Sequence, residues 1–462
     1  MINELKETHN QNVDQQNGFH HLLDEMSIPY QEDEFYLNVG EIPGVDGWVL
    51  FLTMKTDCID DLIKQVCPIL YAAKVSFSLI KDRDIAGRKN DFLMGPDEVG
   101  KILVVFTIDE HTTKTLIGQL NEVTRGFRGP CVNNTIRIGQ IIYVTRIKHV
   151  EKQDVNGNTF TEIRIDTPNV KKLPFYVEPK FRYWKTKRIL KWRYVPLIML
   201  NRSPKGDLLK SVDLKGLKFN WCFIKEGKYQ MFEDRYGRTI KERLQWQAKA
   251  LQELDGYIPI PKFIDYFEQG EDSYLVMEFL EGIDLYTTIE KLYQRRNWRD
   301  LQTDLQYQLL EYYLEVLEIM AKMHAAGYAH RDATAANFMI LNSGEVYTID
   351  LELSYNFRKE EPKRPFGLGV FGYVSPEQIL HQNPSAKEDI YAMGALLLHV
   401  LTGKHPGTYL DKDGMVRISE VMKAVEEPAF LEIILRCFEE SPQKRPELEE
   451  LKQMVKKYVS KN

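Results

Sequence analysis

Apolar and polar positions divide the chain into two regions of different rhythm. In the first, short apolar runs alternate with helical spacing. Trp48 to Met54, rich in β-branched and aromatic residues, predicts a strand. Ile59, Leu62, Ile63, Val66, Ile69 and Leu70 then recur at the spacing of one helix face, and Thr56 or Asp57 is placed to cap it. Val75 to Ile80, Ile102 to Ile108 and Ile141 to Ile147 read as further strands. Asp109 is placed to cap a helix whose face is Leu116, Ile117, Leu120 and Val123 and which stops at Gly126. Asp154-Val155-Asn156-Gly157 has hairpin chemistry, because Asn-Gly tolerates positive φ. The second region starts with strand-like pieces from Val195 to Glu226, a helix over Lys241 to Leu254 and a strand at Tyr274 to Glu278. Long helices follow, the clearest on Leu310, Tyr313, Leu314, Leu317, Met320, Ala321 and His324, ending at Gly327. The pattern predicts an α+β chain. A polar tail (1–34) leads into an α/β domain (35–170). A bilobal domain follows (171–462), with a small mixed lobe to about 280 and a larger helical lobe at 281–462.

Composition narrows the classes. The 462 residues exceed one compact core. A net charge of −6 argues against a nucleic-acid binder. The five cysteines (Cys58, Cys67, Cys131, Cys222, Cys437) are odd in number and lack zinc-ligand spacing, which predicts reduced thiols and a cytoplasmic protein. The polar start has no apolar core of a signal peptide, and the longest apolar run, Ile390 to Leu401, is too short to span a bilayer.

The chemistry-bearing residues lie in the second region. His330-Arg331-Asp332 is followed five residues on by Asn337, and Asp350 ends the apolar strand Val346 to Ile349. Phosphoryl transfer from ATP needs neutralised phosphates, oxygen ligands for magnesium, and a carboxylate that orients or accepts the hydroxyl proton. This order resembles the protein kinases. The resemblance implies Asp332 as base, Asn337 and Asp350 as magnesium ligands, and Lys225, in the strand Cys222 to Lys225, as the clamp on the phosphates of ATP. Tyr274 to Gly282 resembles the hinge between lobes, with Met277 as gatekeeper and the backbone of Glu278 to Leu280 meeting adenine. Ser375-Pro376-Glu377 stands where kinases carry Ala-Pro-Glu; Glu377 is expected to pair with Arg445, and Asp389 to open a buried scaffold helix. That segment favours a peptide or protein substrate over a small molecule.

Four positions depart from the kinase pattern. The phosphate-covering loop has one clear glycine, Gly206 in Ser203-Pro204-Lys205-Gly206-Asp207. The helix residue aligned with Lys225 is Gln247, where a glutamate is expected; it can hydrogen-bond but contributes no charge. The metal motif reads Asp350-Leu351-Glu352, and the position two after Asp332 is Thr334. Between Leu351 and Ser375 the only hydroxyls are Ser354, Tyr355 and Tyr373, around a charged middle from Arg358 to Pro365, so activation-loop phosphorylation is not expected to be required.

Asp350-Leu351-Glu352 and the first domain together resemble the class III lanthionine synthetases, lyase–kinase–cyclase enzymes that modify ribosomal precursor peptides. In the first domain the resemblance rests on Gly47-Trp48, Ala73 to Phe77, Gly100-Lys101 and Thr124 to Pro130, and it covers about residues 35–455. It implies a kinase that phosphorylates Ser or Thr of a leader-bearing precursor peptide. β-Elimination needs a base and an acid. The family's lysine and histidine on the Gly-Trp strand are here Val49 and Phe51, a further lysine is Ser78, and Lys101 survives, so the lyase is expected to be degenerate and kept for binding peptide or bracing the kinase. No cysteine/histidine zinc set is present, so cyclisation and elimination are assigned to separate enzymes. The rival readings are a pseudokinase adaptor, a small-molecule phosphotransferase, and an active lyase using Lys101, Lys81 or His111.

Overall fold

The computed structural model describes residues 18–41, 46–153, 159–166, 173–177, 189–215, 220–294, 296–367, 369–411 and 414–461. The hairpin turn expected at Asp154 to Gly157, and most of the basic stretch Lys171 to Arg193 that the sequence suggests as the join between the domains, lie outside these residues.

The first domain is helices packed on a sheet. Its elements are α1 (His20–Glu25), β1 (Gln31–Glu32), β2 (Tyr36–Val39), β3 (Gly47–Leu52), α2 (Ile59–Ala72), β4 (Ser76–Ile80) and α3 (Arg83–Asn90). Then come β5 (Leu103–Thr107), α4 (Glu110–Val123), β6 (Ile136–Arg137), β7 (Ile142–Gln153) and β8 (Thr159–Asp166). The strand order is β1-β2-β4-β5-β3-β7-β6, with β8 on β7. Every pairing in this sheet is antiparallel, so the domain is α+β; the alternation of strands and helices had suggested α/β. Residues 18–34, read as polar tail, belong to the domain: Phe19, Leu22, Leu23 and Ile28 join its core. Their few apolar positions lie among polar ones and are too sparse to register as a pattern. Neither Thr56 nor Asp57 caps α2. A 3-10 turn at Thr56–Cys58 precedes it, and the Thr56 amide donates to Glu233 of the second domain (3.3 Å).

β3 lies mid-sheet and is buried along its whole length. Alternation along the strand sends Trp48, Leu50 and Leu52 into the helix-covered core, and Val49 and Phe51 to the opposite face, where Val104, Val132 and Tyr143 pack against them.

The second domain opens with a five-stranded antiparallel sheet, order β12-β13-β11-β10-β9. Its elements are β9 (Tyr194–Asn201), β10 (Leu208–Asp213), β11 (Asn220–Gly227), α5 (Ile240–Leu254), β12 (Phe263–Gln269) and β13 (Asp272–Glu278). Thr239 and Glu242 form a capping box that starts α5. The larger lobe holds β14 (Gly282–Asp284), α6 (Leu285–Tyr293), α7 (Thr303–Ala325), β15 (Tyr328–Ala329), β16 (Phe338–Leu341), β17 (Val346–Thr348) and β18 (Tyr355–Asn356). It continues through α8 (Pro376–Ile379), α9 (Ala386–Thr402), α10 (Ile418–Ala424), α11 (Pro428–Cys437) and α12 (Leu448–Lys461). One apolar cluster runs from α5 through α7 and α9 to α12. α9 is buried from Glu388 to Leu401, so the longest apolar run is the hub of this lobe.

The first domain docks on the loop between β11 and α5 and on α5 itself. Phe92 meets Phe232 edge-on (5.2 Å between centroids), and Arg243 of α5 lies over the Phe232 ring (4.0 Å) and 3.8 Å from Asp91. Lys55 donates to the Gly237 carbonyl (3.0 Å), and Asn90 Nδ2 donates to Glu233 (3.2 Å). Burial pushes the Glu233 carboxyl up to about 7, against the pull of Lys55. A carboxyl raised this way binds a proton more readily folded than unfolded. Its contribution to stability therefore falls as pH rises from 4.5 to about 7, and the penalty is full above that. A Glu233→Gln variant is expected to melt higher than the parent at pH 8, by about 2–4 °C per kcal/mol recovered, with the gain disappearing by about pH 4.5. Thermal melts at the two pH values check this.

Candidate active site

The site forms where β11, α5, the loop after β15 and the β16–β17 hairpin converge. β11 is bonded on both sides, to β10 and β13. Alternation puts Cys222 and Ile224 into one small core and leaves Phe223 and Lys225 on the face toward α5. Lys225 is buried there, and its Nζ donates to Asp350 Oδ2 (2.8 Å), Glu352 Oε2 (2.5 Å) and Gln247 Oε1 (3.2 Å). Burial alone would lower the Lys225 pKa, but Asp350 and Glu352 overcome it and hold the ammonium charged. Glu352 is buried too, yet Lys225, Lys205 and Arg243 keep it well below the usual carboxylate range.

The loop from His330 to Asn337 is held by α9. Asp389 accepts the backbone amides of His330 and Arg331 (2.8 Å each) and a bond from His324 (2.8 Å). This fixes Arg331 at φ +65°, a left-handed conformation that side chains of this kind rarely adopt. The Arg331 guanidinium is satisfied by Glu388 (2.8 Å) and by the Phe366 carbonyl (2.8 Å). His330 is fully buried, and burial holds its ring below the ordinary histidine pKa.

Asn337 and Asp350 come together because Phe338 pairs with Thr348 in the β16–β17 hairpin, and the Ile349 amide closes on the Asn337 carbonyl (3.0 Å). Asn337 Nδ2 donates to the Asp332 carbonyl (2.7 Å) and to Asp332 Oδ2 (2.9 Å). Its amide nitrogen is thus committed, and the amide oxygen is the end left for a cation. Together with Asp350 this makes a hard-oxygen donor set of the kind magnesium takes. Burial, reinforced by the charge of Asp350, pushes the Asp332 carboxyl up to about 7.

The remaining positions fall as follows. Met277 is buried in the core at the end of β13, and the Glu278 amide donates to the Lys262 carbonyl (2.9 Å). Leu280 follows at the crossing into the second lobe. Gly206 sits in the loop between β9 and β10 at φ +152°, where a Cβ would lie 1.8 Å from the Glu226 carbonyl. Close backbone approach alone therefore requires this glycine. Glu377 and Arg445 form the expected buried pair, at 2.6 and 2.8 Å. Sequence reasoning missed Glu352 as a partner of Lys225. The signal was present, since a carboxylate replaces the glycine of the metal motif in the same chain that lacks the helix glutamate.

In the activation segment Ser354, Tyr355 and Tyr373 are all buried. Ser354 bonds Trp246 and the Leu351 carbonyl, and Tyr373 bonds His399. A Ser354→Ala/Tyr355→Phe/Tyr373→Phe variant is expected to keep phosphotransfer within about tenfold, the loss coming only from the removed hydrogen bonds. Steady-state rates on folded protein test it; complete loss of turnover would show that phosphorylation of the segment is required.

Residues 229–457 match the protein kinase domain family, and residues 36–182 match the N-terminal domain of RamC. Serine/threonine-protein kinase B of Synechocystis sp. is 27% identical over 227 residues, which cover 47% of this chain and 38% of that protein. Serine/threonine-protein kinase C of the same organism is 26% identical over 243 residues, covering 51% and 43%. A probable serine/threonine-protein kinase PknB of Lactococcus lactis is 31% identical over 181 residues, covering 38% and 26%. The chain thus spans less than half the length of these curated relatives. Among the described residues, no helix is long and apolar enough to cross a membrane.

Proposed function

We propose that the C-terminal protein kinase domain is an active, ATP- and magnesium-dependent kinase that phosphorylates Ser or Thr of a peptide, with the N-terminal domain serving as brace and peptide-binding module. The observation that carries this reading is the joined set Lys225–Asp350 and Asn337–Asp332 at the junction of the lobes. An adaptor has no chemical need for all four. Magnesium, when bound, neutralises charge on the phosphates. Asn337 and Asp350 would hold it, Lys225 would hold the phosphates, and Glu278 and Leu280 would meet the adenine edge through their backbone. Gly206 would lie over the nucleotide. Asp332 takes the hydroxyl proton as the substrate oxygen bonds to the γ-phosphorus and ADP departs.

The RamC-like match and the Asp350-Leu351-Glu352 motif support a ribosomally made precursor peptide as substrate. Elimination by this chain is disfavoured, because the β3 face on which proton transfer would occur is filled by Val49 and Phe51, and Lys101 is bound to Glu98 (2.9 Å). Elimination therefore falls to a separate enzyme. The test is incubation of the purified chain with magnesium-ATP and Ser/Thr-bearing peptides, including any small peptide encoded beside it, followed by mass spectrometry. Gain of a phosphoryl group is expected. Nucleotide binding without labelling of any peptide would support an adaptor instead, and loss of water from the peptide would restore the lyase.

A further inference from the structure

We infer that Glu352, the third residue of the metal motif, is a positioning residue: it supplies from the large lobe the carboxylate that fixes Lys225, in place of the glutamate that α5 lacks. The inference rests on the kinase reading above and deepens it.

Lys225 needs an anionic partner that stays with it. Asp350 is within reach (2.8 Å), but Asp350 is also the hard-oxygen ligand to which a metal would turn. Gln247 on α5 has the right place and the wrong charge. Its Oε1 accepts from Lys225 at 3.2 Å, and its Nε2 is buried with no hydrogen-bond partner. The helix position thus has the shape of the clamp without its charge.

Glu352 restores the charge. Its Oε2 is 2.5 Å from Lys225 Nζ, and its side chain is buried. The turn that delivers it is fixed by its own backbone amide, which donates to Asp350 Oδ1 (3.1 Å). A glycine at this position has nothing with which to reach Lys225. Lys205, from the loop between β9 and β10, adds a contact to Glu352 Oε1 (3.5 Å), so the loop over the site is tied to the same carboxylate. Arg243, one turn before Gln247 on α5, adds its field and carries the contact outward to Asp91 of the first domain (3.8 Å). One anion therefore gathers cations from β11, the loop and α5.

The experiment is a charge relocation. Magnesium-ATP affinity and magnesium-ATP turnover, with and without peptide, are measured for the parent, Glu352→Gln, and Gln247→Glu/Glu352→Gln. Glu352→Gln is expected to lower kcat/KM for ATP by about 10- to 100-fold, the worth of a charge-assisted bond. The double variant is expected to recover to within about threefold of the parent, since the carboxylate is returned from the other side of Lys225. A double variant no better than Glu352→Gln overturns the inference. So does a Glu352→Gln defect that appears only as a changed magnesium requirement, which would make Glu352 a metal ligand. Should Glu352→Gln fail to fold, Glu352→Asp with and without Gln247→Glu asks the same question: recovery supports relocation, and no recovery overturns it. A parent that neither binds nor turns over magnesium-ATP would instead sink the kinase reading.

Discussion

An Asp332→Asn variant is expected to lose about 10²- to 10⁴-fold in kcat while keeping its fold and its affinity for magnesium-ATP. The fold should hold because Asp332 carries little of the local architecture. The loop is fixed by Asp389, through the amides of His330 and Arg331, and by Gln378, which donates to the Arg331 carbonyl (2.9 Å). Of its own bonds, Asn can keep the one from Asn337 and give up the longer one from the Val370 amide (3.3 Å). The affinity should hold because the nucleotide is assigned to Lys225, Asp350 and the hinge, none of which bonds Asp332 through its side chain. Asp350→Asn should also cut transfer sharply, with a different signature. It removes a ligand and also one of the three causes, with burial and the charge of Glu352, that push Asp332 up to about 7. In the parent, Asp332 must be deprotonated to accept a proton, so kcat/KM should rise with pH and level off above about 7. Residual turnover in Asp350→Asn should have its acid limb moved to lower pH, and Asp332→Asn should lack that limb. Equal rates and an unchanged pH profile in Asp332→Asn would remove Asp332 from the role of base.

The parts of this arrangement that are contiguous in the chain were legible from the sequence. His330 to Asn337 and the strand leading to Asp350 carry their spacing with them, and Glu377 and Arg445 were joined because each, buried, demands the other. In the first domain β3, β4, β5, β7, α2 and α4 were legible from their periods, since both faces of β3 and the buried faces of α2 and α4 are apolar, whereas α1, β1, β2, α3 and β6 were not. What stayed hidden was set across space. Antiparallel pairing in the first sheet follows from strand order, which no local period encodes. The contribution of residues 18–34 rests on four scattered apolar side chains that gain meaning only against the sheet. Glu352 is legible as a departure from a motif, but its partner lies on a strand far upstream, and only the folded chain brings the two together. The docking of Asp91, Phe92 and Asn90 on the α5 region had no local signal at all, because α3, which ends there, has no apolar period to mark it.

Glu377→Ala is expected to cost about 3–5 kcal/mol. The Arg445 guanidinium has no exposed surface, and Glu377 is 5% exposed. Removing the carboxylate leaves a buried cation without its counter-charge, which is worse than removing both. Domains are stable by only about 5–15 kcal/mol, so the melting temperature should fall by roughly 6–20 °C. Adding Arg445→Met should recover part of this and not all. Arg445 also donates to the carbonyls of Lys387 (2.8 Å), Glu439 (2.9 Å) and Glu440 (3.3 Å), and a methionine leaves them unpaired. The neighbouring pair Lys387–Glu447 is the internal control. Glu447 is 80% exposed, so Glu447→Ala should change stability by under about 1 kcal/mol. The same loss at both sites would mean that burial does not set the value of these pairs. A large loss at Glu377 should also slow catalysis beyond what unfolding explains. Glu377 lies in α8 beside Gln378, whose side chain holds the Arg331 carbonyl, so the pair that anchors α8 also holds the loop that presents Asp332.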